Sequence, residues 1–297
     1  MLKPISFLIT SALTIPFLSQ ASDIYVAELT PNKKFVNVKP AVNITKRPGY
    51  DNQPMFNSTG SGLYYTSMLP QGDIEQTDTM YYSFLSKGTT NITNTPKFSE
   101  YSPTPIENDS YLSMIFVDET GSQKLWKTHI ESGKQTPINL DIEPVGYHAW
   151  GKGNDLLLFV LGKRMMLQYA KQAEQKSAPV ITKDIGRSLR YNSSKDIFTF
   201  SKGTKTQVLH SFDANTGKIQ RLIPLPTGSD YYTWLNDSMI ISAQGNQLMV
   251  WPYETSGNAQ QINWLPLADL SASCTTQVTR LAVSKQVDKL AFVCEDK

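Results

Sequence analysis

The sequence predicts an all-β fold, a six-bladed β-propeller whose closing blade is shared by the N- and C-terminal strands. Three observations lead to this prediction. A segment that combines a tight polar turn with an apolar strand recurs about every 45 residues. Segments typical of β-hairpins lie between these recurrences. The two ends of the chain are each shorter than one repeat, and together they supply one more.

Six copies of the recurring segment can be placed along the chain. The clearest lie at 48–67 and 99–118, where Pro and aromatic residues precede a polar turn and an apolar strand. Weaker copies lie at 146–162, 186–202, 229–245 and 277–295. Anchor residues at equivalent points are 49, 45, 40, 44 and 49 residues apart: Phe56, Pro105, Trp150, Arg190, Trp234 and Val283. This spacing is typical of propeller blades.

The segments between the copies supply the remaining strands. Residues 125–140, 208–225 and 248–265 have β-branched or aromatic residues on both sides of a Gly-containing turn, which indicates hairpins. Two hairpins per repeat give the four strands of a blade.

The ring is expected to close by pairing the two ends of the chain. Only 14 residues follow Val283, and 35 residues of the mature chain run up to Phe56. Residues 23–45 should therefore pair with the hairpin of 277–295. Such closure removes the exposed sheet edge that would otherwise favour aggregation.

The first 21 residues have the pattern of a secretory signal peptide. Lys3 precedes an apolar stretch, and the small residues Ser19 and Ala21 mark a cleavage site before Ser22. The alternative is an N-terminal membrane anchor, but the apolar run is shorter than the roughly 20 residues that a spanning helix needs. We therefore expect residues 1–21 to be removed and residues 22–297 to form one propeller domain, periplasmic or secreted.

Charge and cysteine content limit the classes of partner. Without Lys3, 27 basic residues face 26 acidic ones, a net charge of +1, so the chain has no strong field to attract nucleic acid. We expect no stable membrane insertion and a monomer. Cys274 and Cys294 flank the last predicted hairpin and can either form a disulfide or remain separate thiols.

The first copy of the repeat resembles a known family. Residues 47–67 resemble the WD40-like repeat of TolB-like periplasmic propellers, in which Pro and an aromatic residue precede Ser-Pro-Asp-Gly and an apolar strand. Here the turn is Asn57-Ser58-Thr59-Gly60, with degenerate forms at Asn236-Asp237 and Ser284-Lys285. The resemblance implies a periplasmic propeller that binds a protein or a ligand. It does not extend to the α/β domain that precedes the propeller in TolB, so TolB's own partners are not implied.

Motifs for catalysis or cofactor binding are scarce. The chain has no Gly-x-Ser-x-Gly elbow, no His-Glu-x-x-His, no Cys-x-x-Cys and no Asp-x-Asp-x-Asn loop. We therefore predict no cofactor, no metal site and no catalytic residue.

The candidate site is the set of segments that enter the first strand of each copy, here called the lead-ins. In a propeller the first strand of each blade is innermost, so the lead-ins should meet around one mouth of the central channel. Their polar and aromatic residues are candidates for binding a polar ligand or peptide. They are Tyr50, Asp51, Gln53, Glu100, Tyr101, Tyr147, His148, Arg187, Asp230, Tyr231, Tyr232 and Arg280.

Two interpretations of this set remain open. In the first, the chain is a non-catalytic scaffold that binds an envelope protein or a polar small ligand. In the second, it is a hydrolase or lactonase that uses the carboxylates of Asp51, Glu100 and Asp230, with or without a metal ion. For each residue a structural role, in backbone bonding or in packing between blades, is the alternative to ligand binding. His148 can likewise be a general base or a structural imidazole.

Overall fold

The architecture is a ring of six antiparallel β-sheets, seen in a computed structural model that describes residues 21–33, 35–71, 74–138, 140–173, 177–253 and 263–295. The predicted six-bladed propeller is confirmed. The signal-peptide prediction for 1–21 lies, apart from Ala21, outside the described residues. Within these ranges, no helix is long and apolar enough to cross a membrane.

The strands follow the chain blade by blade. The N-terminal strands are β1 (Ser22–Pro31), β2 (Val36–Val38) and β3 (Val42–Asn43). Blade 1 contains β4 (Asp51–Phe56), β5 (Gly62–Gln71), β6 (Ile74–Ser83) and β7 (Gly88–Asn91). Blade 2 contains β8 (Ser99–Ile106), β9 (Tyr111–Val117), β10 (Gln123–His129) and β11 (Gln135–Pro137). Blade 3 contains β12 (Val145–Trp150), β13 (Leu156–Val160), β14 (Met166–Ala170) and β15 (Val180–Lys183).

The second half of the ring repeats this plan. Blade 4 contains β16 (Ile185–Asn192), β17 (Ile197–Lys202), β18 (Val208–Asp213) and β19 (Lys218–Pro224). Blade 5 contains β20 (Tyr232–Asn236), β21 (Met239–Gln244), β22 (Gln247–Pro252) and β23 (Leu265–Asp269). Blade 6 contains β24 (Gln277–Val283) and β25 (Lys289–Glu295), followed in space by β1 and β2.

Burial explains why the second strand of each repeat is the most apolar. All five residues of β13, Leu-Leu-Leu-Phe-Val, are buried, because this strand is covered on both faces by neighbouring blades. By contrast, the first four residues of the outer strand β19 are exposed. The core therefore lies between blades. Between blades 3 and 4, for example, it contains Phe159, Phe198 and Phe212.

Ring closure follows the predicted pairing of the two ends of the chain. Strand β1 pairs antiparallel with β25, from Ser22 opposite Glu295 to Glu28 opposite Lys289. Tyr25 stacks on Phe292 across this pair, with ring centroids 5.5 Å apart. The sheet order β24-β25-β1-β2 confirms the closing blade that is shared by both ends.

A disulfide fastens the start of the last blade. Cys274 lies in the turn before β24 and Cys294 lies in β25, with Cα atoms 5.6 Å apart, within the range that disulfides span. The chain folds back before Val278, which is the residue opposite Cys294 in the sheet. Of the two states that the sequence left open, the structure contains the bridged one.

Candidate functional site

The first strand of every blade borders the central channel. All six carry a break in register, and in five of them, β4, β8, β12, β16 and β24, the break lies beside a residue of the channel cavity described below. The breaks lie at or next to Gln53, Ser102, Tyr147, Arg187 and Arg280. A bulge inserts an extra residue and turns a side chain away from its regular direction. These bulges therefore direct polar side chains from five blades into the channel.

A small cavity lies where these side chains meet. Its volume is about 50 Å³, room for only a few water molecules. Of the candidate residues, five line it: Gln53, Tyr147, His148, Arg187 and Arg280. The other lining residues include Ser102, Leu189, Arg190 and Leu281. The predicted convergence of lead-ins thus gives a narrow polar channel rather than a wide pocket.

Arg280 is held between aromatic rings. Its guanidinium carbon lies 4.9 Å from the ring centroid of Tyr147 and 4.6 Å from that of Tyr231. Its Nη2 donates a hydrogen bond to the Tyr147 hydroxyl at 2.8 Å. Burial raises the pKa of the nearby Tyr50 phenol, while the charge of Arg280 opposes this rise. Cation–π contacts of this kind stabilise a cation without neutralising it.

Three tyrosines interact with Arg280 and a fourth interacts with one of these three; we call the four the tyrosine cluster. Its members are Tyr50, Tyr101, Tyr147 and Tyr231. Tyr147, Tyr101 and Tyr231 raise the pKa of Tyr50 further. Arg280 and the tyrosine cluster are thus the part of the candidate set that comes together most closely.

Arg190 is a second cation at the same cavity. Its Nη2 donates to the Leu281 carbonyl at 3.2 Å and its Nε to Thr233 Oγ1 at 3.2 Å, so it links blade 4 to blades 5 and 6. Burial lowers the pKa of Arg190, and repulsion from Arg280 lowers it further. The sequence placed this residue at an anchor position but not in the site. An arginine among anchors that are otherwise apolar was the signal that could have identified it.

His148 is fixed on one side and unpartnered on the other. Its Nε2 lies 2.7 Å from Ser113 Oγ, which also accepts a hydrogen bond from Trp150 Nε1 at 2.8 Å. Its Nδ1 has no partner among the described residues, although the side chain is only 8% exposed. Burial lowers the pKa of His148 to about 3, so the imidazole is neutral at physiological pH. The geometry is that of a structural imidazole with one nitrogen left for a further contact.

Gln53 combines a place at the cavity with a structural role. Its backbone has φ 58°, the left-handed conformation that the bulge requires, and Ser102 occupies the equivalent position in the next blade with φ 57°. The Oε1 atom of Gln53 accepts hydrogen bonds from Thr66 Oγ1 at 2.9 Å and from the Ser102 amide at 2.6 Å. This side chain therefore joins blades 1 and 2 at the channel.

The structure places the Asp51 carboxylate inside a blade junction. The residue is fully buried, and its Oδ1 accepts hydrogen bonds from Arg47 Nη2 at 2.8 Å and Ser67 Oγ at 2.6 Å. Burial raises the pKa of Asp51, and Ser67 and Arg47 oppose this rise. Because Arg47 also donates to the Met68 carbonyl at 2.8 Å, the ion pair fastens the lead-in to blade 1.

Glu100 occupies the equivalent place at the next junction, but without a cation. Its carboxylate accepts hydrogen bonds from Thr93 Oγ1 at 2.9 Å and from Thr95 Oγ1. Asp78, also fully buried, accepts hydrogen bonds from the Thr95 amide at 3.1 Å and from Asn91 Nδ2 at 2.6 Å. Burial raises the pKa of Glu100 to about 8; the threonine hydrogen bonds oppose the rise and Asp78 adds to it.

A short repeat in the sequence makes the comparison between these two junctions direct. Residues 43–48 are Asn-Ile-Thr-Lys-Arg-Pro and residues 91–96 are Asn-Ile-Thr-Asn-Thr-Pro, so Thr95 stands where the first junction has Arg47. Asn43 bonds Asp23 at 2.6 Å just as Asn91 bonds Asp78. Among the described residues, the second junction therefore encloses two carboxyl groups whose hydrogen-bond partners are hydroxyl and amide groups, with no cation.

The remaining candidates lie away from the cavity lining. Tyr232 is fully buried in the core of blades 4 and 5, and burial raises the pKa of its phenol. Asp230 is exposed, and its carbonyl accepts a hydrogen bond from Ser188 Oγ at 3.2 Å. Asp51, Glu100 and Asp230 therefore do not converge, and the described residues hold no group of three or more His, Cys, Asp or Glu side chains arranged for a metal ion.

Comparison with solved structures identifies known proteins that share this fold. No protein-family model and no curated protein matches the chain. Among solved structures, a protein of Agrobacterium tumefaciens assigned as TolB superposes with a TM-score of 0.69 at 11% identity, covering 94% of this chain and 99% of that one. The fold is that of a TolB-like propeller. TolB of Acinetobacter baumannii matches with a TM-score of 0.58 at 8% identity, over 93% of this chain but only 64% of its own.

TolB-like propellers share their architecture with enzymes. An oligogalacturonate lyase of Vibrio parahaemolyticus superposes with a TM-score of 0.55 at 11% identity, covering 86% of this chain and 80% of that one. Because these identities are so low, the likeness defines the fold and leaves the activity to the site itself.

Proposed function

We propose that this TolB-like propeller is an exported, periplasmic binding scaffold without catalytic activity. In this proposal it recognises a segment of an envelope protein, or a polar small ligand, at the channel mouth. One observation carries the proposal above all others. Bulges in the first strands of five blades direct polar side chains to one cavity, where three members of the tyrosine cluster interact with Arg280.

The size of the cavity favours recognition at the mouth over enclosure of a whole ligand. At about 50 Å³ the cavity is far below the 300–1,000 Å³ typical of small-molecule pockets. A ligand can place only one small group in the cavity, and the rest of the ligand binds outside it, against the tyrosine cluster. Tyr and Arg are the residue types most enriched at the energetic centres of protein interfaces.

The arrangement of titratable groups favours binding over catalysis. Asp51 and Glu100 are enclosed in blade junctions, and His148 is a neutral imidazole bonded to a buried serine. A general base needs access to its substrate at hydrogen-bonding distance. The residues that do reach the channel are cations, phenols and amides, which suit recognition.

Export is supported by the signal-peptide pattern and by the disulfide. Disulfides persist in oxidising compartments such as the periplasm, and Cys274 and Cys294 are bridged. The first residue after the predicted cleavage site, Ser22, begins β1. N-terminal sequencing of the exported protein should return Ser22-Asp23-Ile24, and recovery of Met1 in the envelope fraction would contradict export with cleavage.

The binding site is tested in two ways, by crosslinking in cells and by charge reversal at two arginines of blade 4. Arg187 is exposed at the channel on the inner strand β16, whereas Arg221 is exposed on the outer strand β19. A photo-crosslinking residue at Tyr231 should capture an envelope component in living cells, and the same residue at Lys218 should not. The component is identified by mass spectrometry and its binding is then measured with purified proteins.

Arg187→Glu should weaken that binding, and Arg221→Glu, which carries the same charge change, should leave it intact. Equal crosslinking at Tyr231 and Lys218, or equal affinity of the two variants, would place the site elsewhere. A thermal melt of each variant checks that the propeller remains folded.

A further inference from the structure

We propose that the channel cavity is a carboxylate-binding site, and that the ligand of the propeller therefore presents an acidic group to it. This inference rests on the proposed binding function and specifies the chemistry of the group that enters the channel. It comes from the charges and unpaired donors that the structure brings to the cavity.

Two of the arginines that line the cavity have no carboxylate beside them among the described residues. Arg190 and Arg280 both line it, and no carboxylate among the described residues lies within 4.0 Å of either guanidinium. Arg280 interacts with Glu295 only at longer range, where it opposes the rise in the pKa of that carboxyl that burial causes. Two like charges in an enclosed space repel each other, so a counter-anion between them is stabilising.

Hydrogen-bond donors remain available at the same place. A guanidinium has five N–H donors, and the hydrogen bond found for Arg280 uses Nη2 alone, toward Tyr147. The hydroxyl of Ser102 and the Nδ1 of His148 are buried at the cavity without partners among the described residues. When Ser113 donates to His148 Nε2, Nδ1 carries the proton and becomes a donor. A carboxylate has several lone pairs and can accept hydrogen bonds from more than one donor of this kind.

The shape of the site selects the anion. A volume of about 50 Å³ suits a small group such as a carboxylate and its first carbon, and a planar carboxylate fits the donor fork of arginine. Tyr147, the member of the tyrosine cluster that lines the cavity, then contacts whatever the carboxylate is attached to. An Asp or Glu side chain, a free C-terminus and a small organic acid share this chemistry, and the experiment separates them.

The first test needs no substitution. Sodium acetate is titrated into the purified exported protein, with sodium chloride at equal ionic strength as the comparison, and the thermal midpoint is recorded. Binding to the folded state alone raises the midpoint. Acetate should raise it along a saturating curve that chloride does not reproduce. Equal effects of acetate and chloride, or a stronger effect of phosphate than of acetate, would overturn the assignment.

The second test identifies the source of the carboxylate. Acetyl-Gly-Asp-Gly-amide carries a side-chain carboxylate, acetyl-Gly-Gly with a free C-terminus carries a terminal one, and acetyl-Gly-Asn-Gly-amide carries none. Binding of at least one acidic peptide should exceed that of the Asn peptide by about tenfold or more, the value of a charge-assisted hydrogen bond. Equal affinity of all three would overturn the proposal.

Variants locate the site. Arg280→Gln should abolish the preference for acidic peptides, Arg280→Lys should retain part of it, and Arg221→Gln on the outer strand of blade 4 should retain all of it. If Arg280→Gln does not fold, the comparison of Arg280→Lys with wild type takes its place. If the Arg280 variants keep the full preference for acidic peptides, the carboxylate does not bind in this cavity.

Failure of this inference is distinguishable from failure of the proposed function. If Arg187→Glu weakens partner binding but acidic and neutral peptides bind with equal affinity, the proposed scaffold function is supported and the carboxylate site is refuted. If Arg187→Glu leaves partner binding unchanged as well, both proposals are refuted.

Discussion

Replacing Glu100 by Gln should stabilise the protein in alkaline solution and change its stability little near pH 5. Glu100 and Asp78 are fully buried together, and hydroxyl and amide groups are their only hydrogen-bond partners among the described residues. Glutamine has the shape and the hydrogen-bonding pattern of a protonated glutamic acid. The variant therefore mimics the protonated state at every pH.

The magnitude follows from the raised pKa of Glu100. The unfolded chain releases this proton near pH 4.5, whereas the folded protein holds it until about pH 8. Between these values the folded state binds more protons, so the free energy of unfolding falls as the pH rises through the window. The loss is complete above pH 8. Since one pH unit of pKa change corresponds to about 1.4 kcal/mol, the total is at most about 5 kcal/mol.

The assay is urea unfolding of wild type and Glu100→Gln at pH 5, 6, 7, 8 and 9, with circular dichroism as the signal. The difference in unfolding free energy should be near zero at pH 5 and should grow to a few kcal/mol in favour of the variant at pH 9. Glu119→Gln, which removes an exposed carboxylate, is the matched control and should follow wild type at every pH.

Parallel pH profiles for wild type and Glu100→Gln would refute the reasoning, because they would mean that Glu100 is ionised throughout. Thr95→Arg offers an independent check. It supplies the cation that Arg47 provides at the preceding junction, so it should lower the pKa of Glu100 and reduce the loss of stability at high pH.

Three further predictions concern the blade junctions and the closure of the ring. Asp51→Ala should destabilise the protein by about 3 kcal/mol or more, because it removes a buried partner of an ion pair. Arg187→Ala, at the exposed channel surface, should cost no more than about 1 kcal/mol, and equal melting temperatures of the two variants would contradict this difference. Deleting 22–45 removes the strand that pairs with β25, so the truncated protein should aggregate or lose cooperative unfolding, and a melt like that of the full chain would refute the role of β1 in closure. Replacing Cys274 and Cys294 by Ser should lower the free energy of unfolding by about 3 kcal/mol, the expected value for a closed loop of this size. The unreduced wild-type protein should have the mass of the mature chain less two hydrogens, and freely alkylated thiols would contradict the bridge.

The fold could be predicted from the sequence because its signals are local and repeated. A polar turn before an apolar strand, as at Asn57–Gly60, indicates a hairpin wherever it occurs, and its spacing indicates a blade. Closure followed from chain length, since neither end contains a whole repeat. The meeting of the lead-ins was also predictable, because it depends only on the first strand of each blade being innermost.

What the tertiary structure decided was the direction of each side chain. Successive residues of a strand point to opposite faces, so one inserted residue reverses every assignment that follows it. The inner strands contain such bulges, and the sequence does not mark where they lie. Arg190, which follows the break in β16, lines the cavity. Asp51 and Glu100 precede the breaks in their strands; they were expected at the channel but are held in blade junctions by their hydrogen bonds. The sequence by itself determined the six-bladed ring. Only the packed structure determined that arginines, and not Asp51 and Glu100, line its channel cavity, because hydrogen bonds hold these two carboxylates in the blade junctions.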